Sequence, residues 1–132
     1  MIALGAGGRL LPLLLLIISC AKKSDLPEWV IHFKPKRGEI CGVGIAGIHM
    51  KGFAYQRATA IARAVDEIAR QKGVTVNTQV EYFMKGTTAG SEAYLSVYSV
   101  QTTEGQTIRA VLKEAYHDRE KGTFYVLMCE EK

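Results

Sequence analysis

The 132-residue sequence predicts an α+β domain: a small, mostly antiparallel sheet with one long amphipathic helix packed on one face. Three observations lead there. Residues 53–72 repeat apolar side chains at spacings of three and four, the period of a helix lying against a sheet. Residues 74–84 alternate apolar and polar side chains, the period of a strand with one wet face. Residues 124–129 are apolar on both faces and follow the polar stretch 118–122, so they read as the buried arm of a hairpin whose other arm is about residues 111–117.

The chain divides into three regions: a lipoprotein signal peptide at residues 1–19, a lipidated tether at 20–38, and a single domain at 39–132. Residues 1–9 carry one charge, Arg9, and an apolar run from Leu10 to Ile18 follows, ending at Ser19 and Cys20. A basic start, an apolar centre and a small residue at the cut are the layout of a secretory signal. A membrane-spanning helix needs about 20 apolar residues, roughly twice this run, and Pro12 interrupts it. The segment Ile17-Ile18-Ser19-Cys20 resembles the bacterial lipobox, which implies that Cys20 is acylated and becomes the first residue of the mature chain. Acyl chains stabilise membrane attachment by about 0.8 kcal/mol per buried methylene, so several hold the protein on the bilayer. Ala21, rather than Asp, follows the cysteine, which by the same resemblance favours the outer membrane.

The formal net charge is +4, and removal of Arg9 leaves +3. This mild excess is scattered and lacks the clustered stripe that nucleic acid requires. Lys22, Lys23, Lys34, Lys36 and Arg37 are the basic residues of the tether, where Pro27 and Pro35 oppose helix and predict an extended segment. Trp29 is its expected single contact with the domain.

Within the domain, residues 40–46 mix small and branched residues, as a buried strand does where a helix approaches closely. On the helix, Ala54, Ala58, Ile61, Ala62, Val65, Ile68 and Ala69 define the packed face. Gln56, Arg63, Asp66, Glu67 and Arg70 fall between them, and Gly73 closes the helix. Residues 86–91 read as a loop. Residues 92–108 fit either a second helix, through Tyr94, Val97, Tyr98 and Gln101, or a strand, through the β-branched and aromatic content of 95–100.

Chemical motifs are sparse. Gly42-Val43-Gly44-Ile45-Ala46-Gly47 matches GxGxxG, but it lies inside the expected strand, and the acids about twenty residues on, Asp66 and Glu67, lie mid-helix. It reads as small residues beneath a packed helix, with no cofactor implied. His32, His49 and His117 are far apart and show no metal-ligand spacing, and no nucleophile elbow is present. The expectation is a non-enzymatic protein without catalytic, cofactor or metal residues, whose one functional residue is Cys20.

The lipobox, Pro27-Glu28-Trp29, Gly42-Val43-Gly44, Ala58, Ala62 and Arg63 on the helix, and Gly122-Thr123-Phe124-Tyr125-Val126-Leu127 together resemble the LPP-twenty family of small outer-membrane lipoproteins, which is related to flagellar accessory lipoproteins. The resemblance covers most of the mature chain. It implies a compact α+β module that contacts other envelope proteins or copies of itself, in flagellar or surface assembly. It also favours the helical reading of residues 92–108. The alternative function is a periplasmic binding module for a small apolar ligand or a peptidoglycan fragment. Expected partners are the membrane, through the N-terminal lipid, and envelope proteins, with no nucleic acid.

Chain direction adds one expectation. With a helix at 92–108, the successive elements alternate so that Cys129 finishes at the level where Cys41 begins. With a strand at 93–103 and a further reversal, the two lie at opposite ends, roughly 20 Å apart. Placement at the same end is expected, and a disulfide would additionally require the two strands to be neighbours.

Overall fold

The computed structural model describes residues 26–77, 79–84 and 97–131. The expected signal peptide, Cys20, the start of the expected tether and the expected loop at 86–91 lie outside these residues. The elements are helix α1 (Glu28–Ile31), strand β1 (Cys41–Ala46), helix α2 (Phe53–Gln71), a 3₁₀ helix (Val80–Met84), and strands β2 (Val97–Gln101), β3 (Thr107–Asp118) and β4 (Thr123–Glu130). The four strands form one antiparallel sheet in the order β1-β4-β3-β2, so the first and last strands are neighbours.

Helix α2 covers one face of the sheet, and the central core lies between them. Ile61, Val65 and Ile68 meet Val126, Met128, Ile108 and Val100 there. Close approach to β1 depends on its glycines. A Cβ on Gly42 would lie 2.5 Å from the Ala64 carbonyl oxygen, and one on Gly44 would collide with the Ala60 carbonyl oxygen. The GxGxxG run therefore lets helix and strand backbones touch, which matches its reading as packing. The helix ends as its sequence requires: Gly73 takes φ 74°, its N–H donates to the Arg70 carbonyl, and the Val74 N–H donates to the Ala69 carbonyl. That pair of bonds is a Schellman closure, which needs a residue without a Cβ at this position.

The packed face is offset from the one the periodicity indicates: Gln56, Ala60 and Ala64 are also buried, while Ala54 and Ala62 are only half-buried. Gln56 is tolerated inside because its Nε2 donates to the Ala46 carbonyl at 3.0 Å and to the Gly122 carbonyl. A buried amide with its donors satisfied avoids the desolvation cost of an orphaned group.

Three expectations need correction. Residues 74–84 do not form a strand: Val76 alone bridges to Thr102, and Val80–Met84 is a 3₁₀ helix. The buried side chain there is Phe83, out of phase with the alternation and 5.5 Å from the Tyr98 ring. A 3₁₀ turn eclipses residues three apart, which puts Val80 and Phe83 on one side, as an extended strand does not. The second helix at 92–108 is absent over 97–108, where β2, a tight turn and the start of β3 stand instead. Tyr98 and Val100 are buried against the helix layer while Ser99 and Gln101 are exposed, so pairing with β3 decides in favour of the β-branched and aromatic content. Gly105 at φ 89° makes the turn that joins the two strands. The tether, finally, is not wholly extended. Pro27 caps the single turn α1, a position where its missing N–H costs nothing.

The opposite face of the sheet carries a smaller apolar cluster. Cys41, Leu127 and Cys129 are buried there beneath Trp29, Phe33 and Val43. Trp29 is thus a contact of the tether with the domain, as expected, and Phe33 is a second. The hairpin of β3 and β4 is present and longer than its sequence signal, with a bulge between Leu112 and Glu114.

Candidate functional site

Cys41 and Cys129 face each other across β1 and β4 and are disulfide-bonded, with Cα atoms 4.0 Å apart. The ladder explains why this pair can close. The Glu130 N–H donates to the Ile40 carbonyl, so the pair at Ile40 is hydrogen-bonded and the next pair is not. Facing residues at a non-hydrogen-bonded pair have the closest Cα atoms in an antiparallel ladder. The Cys41 carbonyl accordingly points away from β4 and accepts Gln71 Nε2 at 2.7 Å. Placement at the same end of the sheet matches the expectation from chain direction.

Both outer strands have carbonyls occupied by side chains. On β1, Gln71 takes the Cys41 carbonyl and Arg63 Nη1 donates to the Ile45 carbonyl at 2.6 Å. On β2, the Tyr82 hydroxyl donates to the Ser99 carbonyl at 2.6 Å. An exposed strand edge is a template for pairing with another chain, and these contacts blunt it. Association by adding a strand at these carbonyls would have to displace them.

The two ends of β1 differ in character. At the Cys41 end residues 26–38 lead in, through α1 and the Trp29 contact. At the Ala46 end the residues leading into α2 expose Met50 (97%), Ile48 (77%) and Phe53 (46%). This tip is held rather than loose. Gln56 ties the end of β1 to the 119–122 turn, Ile48 lies over Gly122, and Phe53 packs edge-on against Phe124 at 5.1 Å and at a tilt against His117 at 4.8 Å. His49 stacks on Tyr55 at 4.3 Å, and the Lys51 ammonium sits 4.9 Å from that ring. His49 and His117 therefore serve in ring contacts, and His32 follows α1 as an exposed C-cap.

A cleft of about 440 Å³ runs between the outer side of α2 and residues 76–83. Its floor is Ala62, Val76, Val80 and Phe83, and Arg63 and Asp66 stand on its wall. Among the described residues, the one grouping of histidine, cysteine or acidic ligand atoms at metal-binding range is Glu39 with Cys41 and Cys129, within 4.8 Å of one another. Both sulfurs are committed to the disulfide, and it is the thiolate that binds metal. Among the described residues, Glu104 is the titrating group whose pKa the fold shifts. The Thr75 backbone N–H, then the Thr103 hydroxyl, hold its carboxyl below the usual carboxylate range.

Cys20, the residue singled out by the lipobox, lies outside the described residues. No helix among those described is long and apolar enough to cross a membrane. No protein-family model, curated protein or solved structure matches the chain. Sequence reasoning missed the tip, because Ile48 and Met50 carry no period, and the cleft, because most of its floor comes from a segment read as a strand.

Proposed function

We propose that the protein is an exported lipoprotein, anchored to the outer membrane through an acylated Cys20, that serves as an interaction module of the cell envelope. The observation that carries this reading is the Cys41–Cys129 disulfide. Disulfides persist in oxidising compartments, the bacterial periplasm among them, and are rare in the cytosol. A basic start, apolar run and lipobox on the same chain supply the route and the anchor. The interaction role draws on the tip formed by Ile48, Met50 and Phe53. Six residues of β1, roughly 17 Å, separate it from the end where the tether enters, so an anchored domain presents it away from its attachment. Exposed apolar side chains held in place mark contact surfaces. Partners are envelope proteins or further copies of the chain, and association with flagellar or surface assembly is the sharper form that the LPP-twenty resemblance suggests.

Native mass spectrometry of the full chain, extracted from membranes in mild detergent, tests both halves. The expected species begins at Cys20, carries acyl chains, and is found as a discrete oligomer or with an envelope protein. A mature form beginning at Ala21 or later, or an unprocessed Met1 form as the main product, would overturn the anchor. A bare acylated monomer would overturn the interaction role. The cleft beside α2 favours one second reading, a binding module for a small apolar ligand or peptidoglycan fragment. Its apolar floor beneath Arg63 and Asp66 suits an apolar body with one polar end.

A further inference from the structure

We propose that a second cavity, of about 460 Å³ on the sheet face away from α2, is a binding site for phosphate-class oxyanions, with Lys36, Arg37 and Lys113 as its cations. The floor is Val111 and Cys129, and Glu39, Glu130 and Glu131 also border it.

Two independent pieces of backbone geometry bring the cations together. Residues 36–39 form a closed turn. The Glu39 N–H donates to the Lys36 carbonyl at 2.9 Å, the Lys36 N–H donates to Glu39 Oε1 at 3.1 Å, and Gly38 takes φ 79°. This turn projects Lys36 and Arg37 from one side. On the other side Lys113 is the extra residue of the β3 bulge, unpaired in the ladder between Leu112, opposite Met128, and Glu114, opposite Leu127. A bulge redirects a side chain that regular alternation would send elsewhere.

The charge state of the cavity is asymmetric. Each carboxylate already has a partner: Glu130 pairs with Lys72, Glu131 accepts Arg109 Nε at 2.7 Å, and Glu39 closes the turn. Lys36, Arg37 and Lys113 enter no ion pair among the described residues. Glu130 and Glu131 are paired to Lys72 and Arg109, which do not line the cavity, so its three cations face one carboxylate without a cationic partner among the described residues, Glu39, which leaves an excess of two positive charges for an incoming anion. The Arg37 guanidinium can grip two oxygens of a tetrahedral oxyanion, with the lysines as point charges. The site takes either a free phosphomonoester or the phosphodiester of a lipid headgroup, and it does not depend on the anchor at Cys20.

The test uses the full chain in nonionic detergent, with inorganic phosphate, glycerol 3-phosphate, and short-chain phosphatidylglycerol or phosphatidylcholine titrated by calorimetry at matched ionic strength. At least one phosphate compound should bind saturably, and Lys113→Gln should weaken it at least tenfold. Lys121→Gln, in the turn at the far end of the hairpin, should leave it unchanged. Lys113→Arg should retain binding, which separates loss of charge from loss of fold, and melting without ligand checks the latter. Tighter binding of phosphatidylglycerol than of glycerol 3-phosphate identifies the headgroup source, and the reverse identifies the free anion. Absence of saturation with every probe, or equal losses in Lys113→Gln and Lys121→Gln, would overturn the proposal.

Discussion

Reducing the Cys41–Cys129 bond isolates one large term in the stability of this domain. The bridge joins residues 88 apart in sequence. In the chain-entropy account, a closed loop of that length restricts the unfolded chain by about 4.6 kcal/mol at 25 °C. A small domain is stable by about 5 to 15 kcal/mol in total, so reduction should remove roughly 30% or more of it. Reduced wild type is the better reference than a double alanine variant. Cys41 and Cys129 are buried under Trp29 and Phe33, and truncation would add a cavity to the loss of the cross-link. Urea unfolding of oxidised and reduced protein, followed by far-ultraviolet circular dichroism, reads the difference. With a slope of about 1.5 kcal/mol per molar urea, the midpoint should fall by roughly 3 M. Trp29, the one tryptophan of the chain, packs on the same cluster and supplies a local signal, since a neighbouring disulfide quenches indole emission. A midpoint shift below about 0.5 M, with Trp29 emission confirming that the bond is open, would refute the entropic reasoning.

Three further outcomes test the packing and the electrostatics. Ile61 is fully buried, so Ile61→Asp should cost several kcal/mol, whereas Arg63→Ala, which leaves the Ile45 carbonyl to water, should cost under about 1 kcal/mol; equal melting temperatures would contradict the assigned face. Gly44→Ala forces a methyl into the Ala60 carbonyl and should cost about 3 kcal/mol by thermal melting, while Gly47→Ala, with open space around it, should stay within about 0.5 kcal/mol. Glu104 has a folded-state pKa below its unfolded one, so its contribution is present above the unfolded value and lost as pH falls through the folded value. Glu104→Gln should accordingly flatten the acid side of a melting-temperature profile between those two values, and an unchanged profile would remove Thr75 and Thr103 as the cause.

The residues of the fold that were legible in the sequence are those with a strong period or a steric demand. Helix α2 shows its alanines and its closing Gly73, and the β3–β4 hairpin shows its polar turn. Gly42 and Gly44 read correctly as packing because the motif lay within a strand. Residues 74–84 misled because alternation reports which side chains share a face only if the backbone is extended. Phe83, at a polar phase of that pattern, is the residue the core takes, and the 3₁₀ geometry that admits it has no sequence period of its own over five residues. Helix α2 hid part of its face for a related reason. Gln56 reads as a solvated residue, yet the carbonyls of Ala46 and Gly122 that satisfy it come from parts of the chain that periodicity does not relate. The candidate sites depended still more on tertiary structure. The oxyanion cavity joins a turn at 36–39 to a bulge at Lys113, and neither its charge excess nor its partnered acids can be counted until the ladder register is known.

The cysteine pair shows how a correct placement can follow from an incorrect assignment. What sets the direction of β4 relative to β1 is the number of times the chain crosses the layer, not the secondary structure it adopts while crossing. After α2 ends at Gln71, residues 74–84 still travel back along the sheet, from Val76 beside Thr102 to Phe83 beside Tyr98. Residues 97–101 return as a strand where a helix was expected, again one crossing. Gly105 then turns the chain directly into β3, so the further reversal that the strand alternative supposed does not occur. The two substitutions, a 3₁₀ segment for a strand and a strand for a helix, conserve the count. Cys129 therefore arrives at the same end of the sheet as Cys41 in either case, and the adjacency of β1 and β4 makes them face. A short Cα separation between the cysteines is blind to whether this segment is helix or strand, and the pairing of Tyr98 with Ala110 is the observation that decides it for residues 97–101.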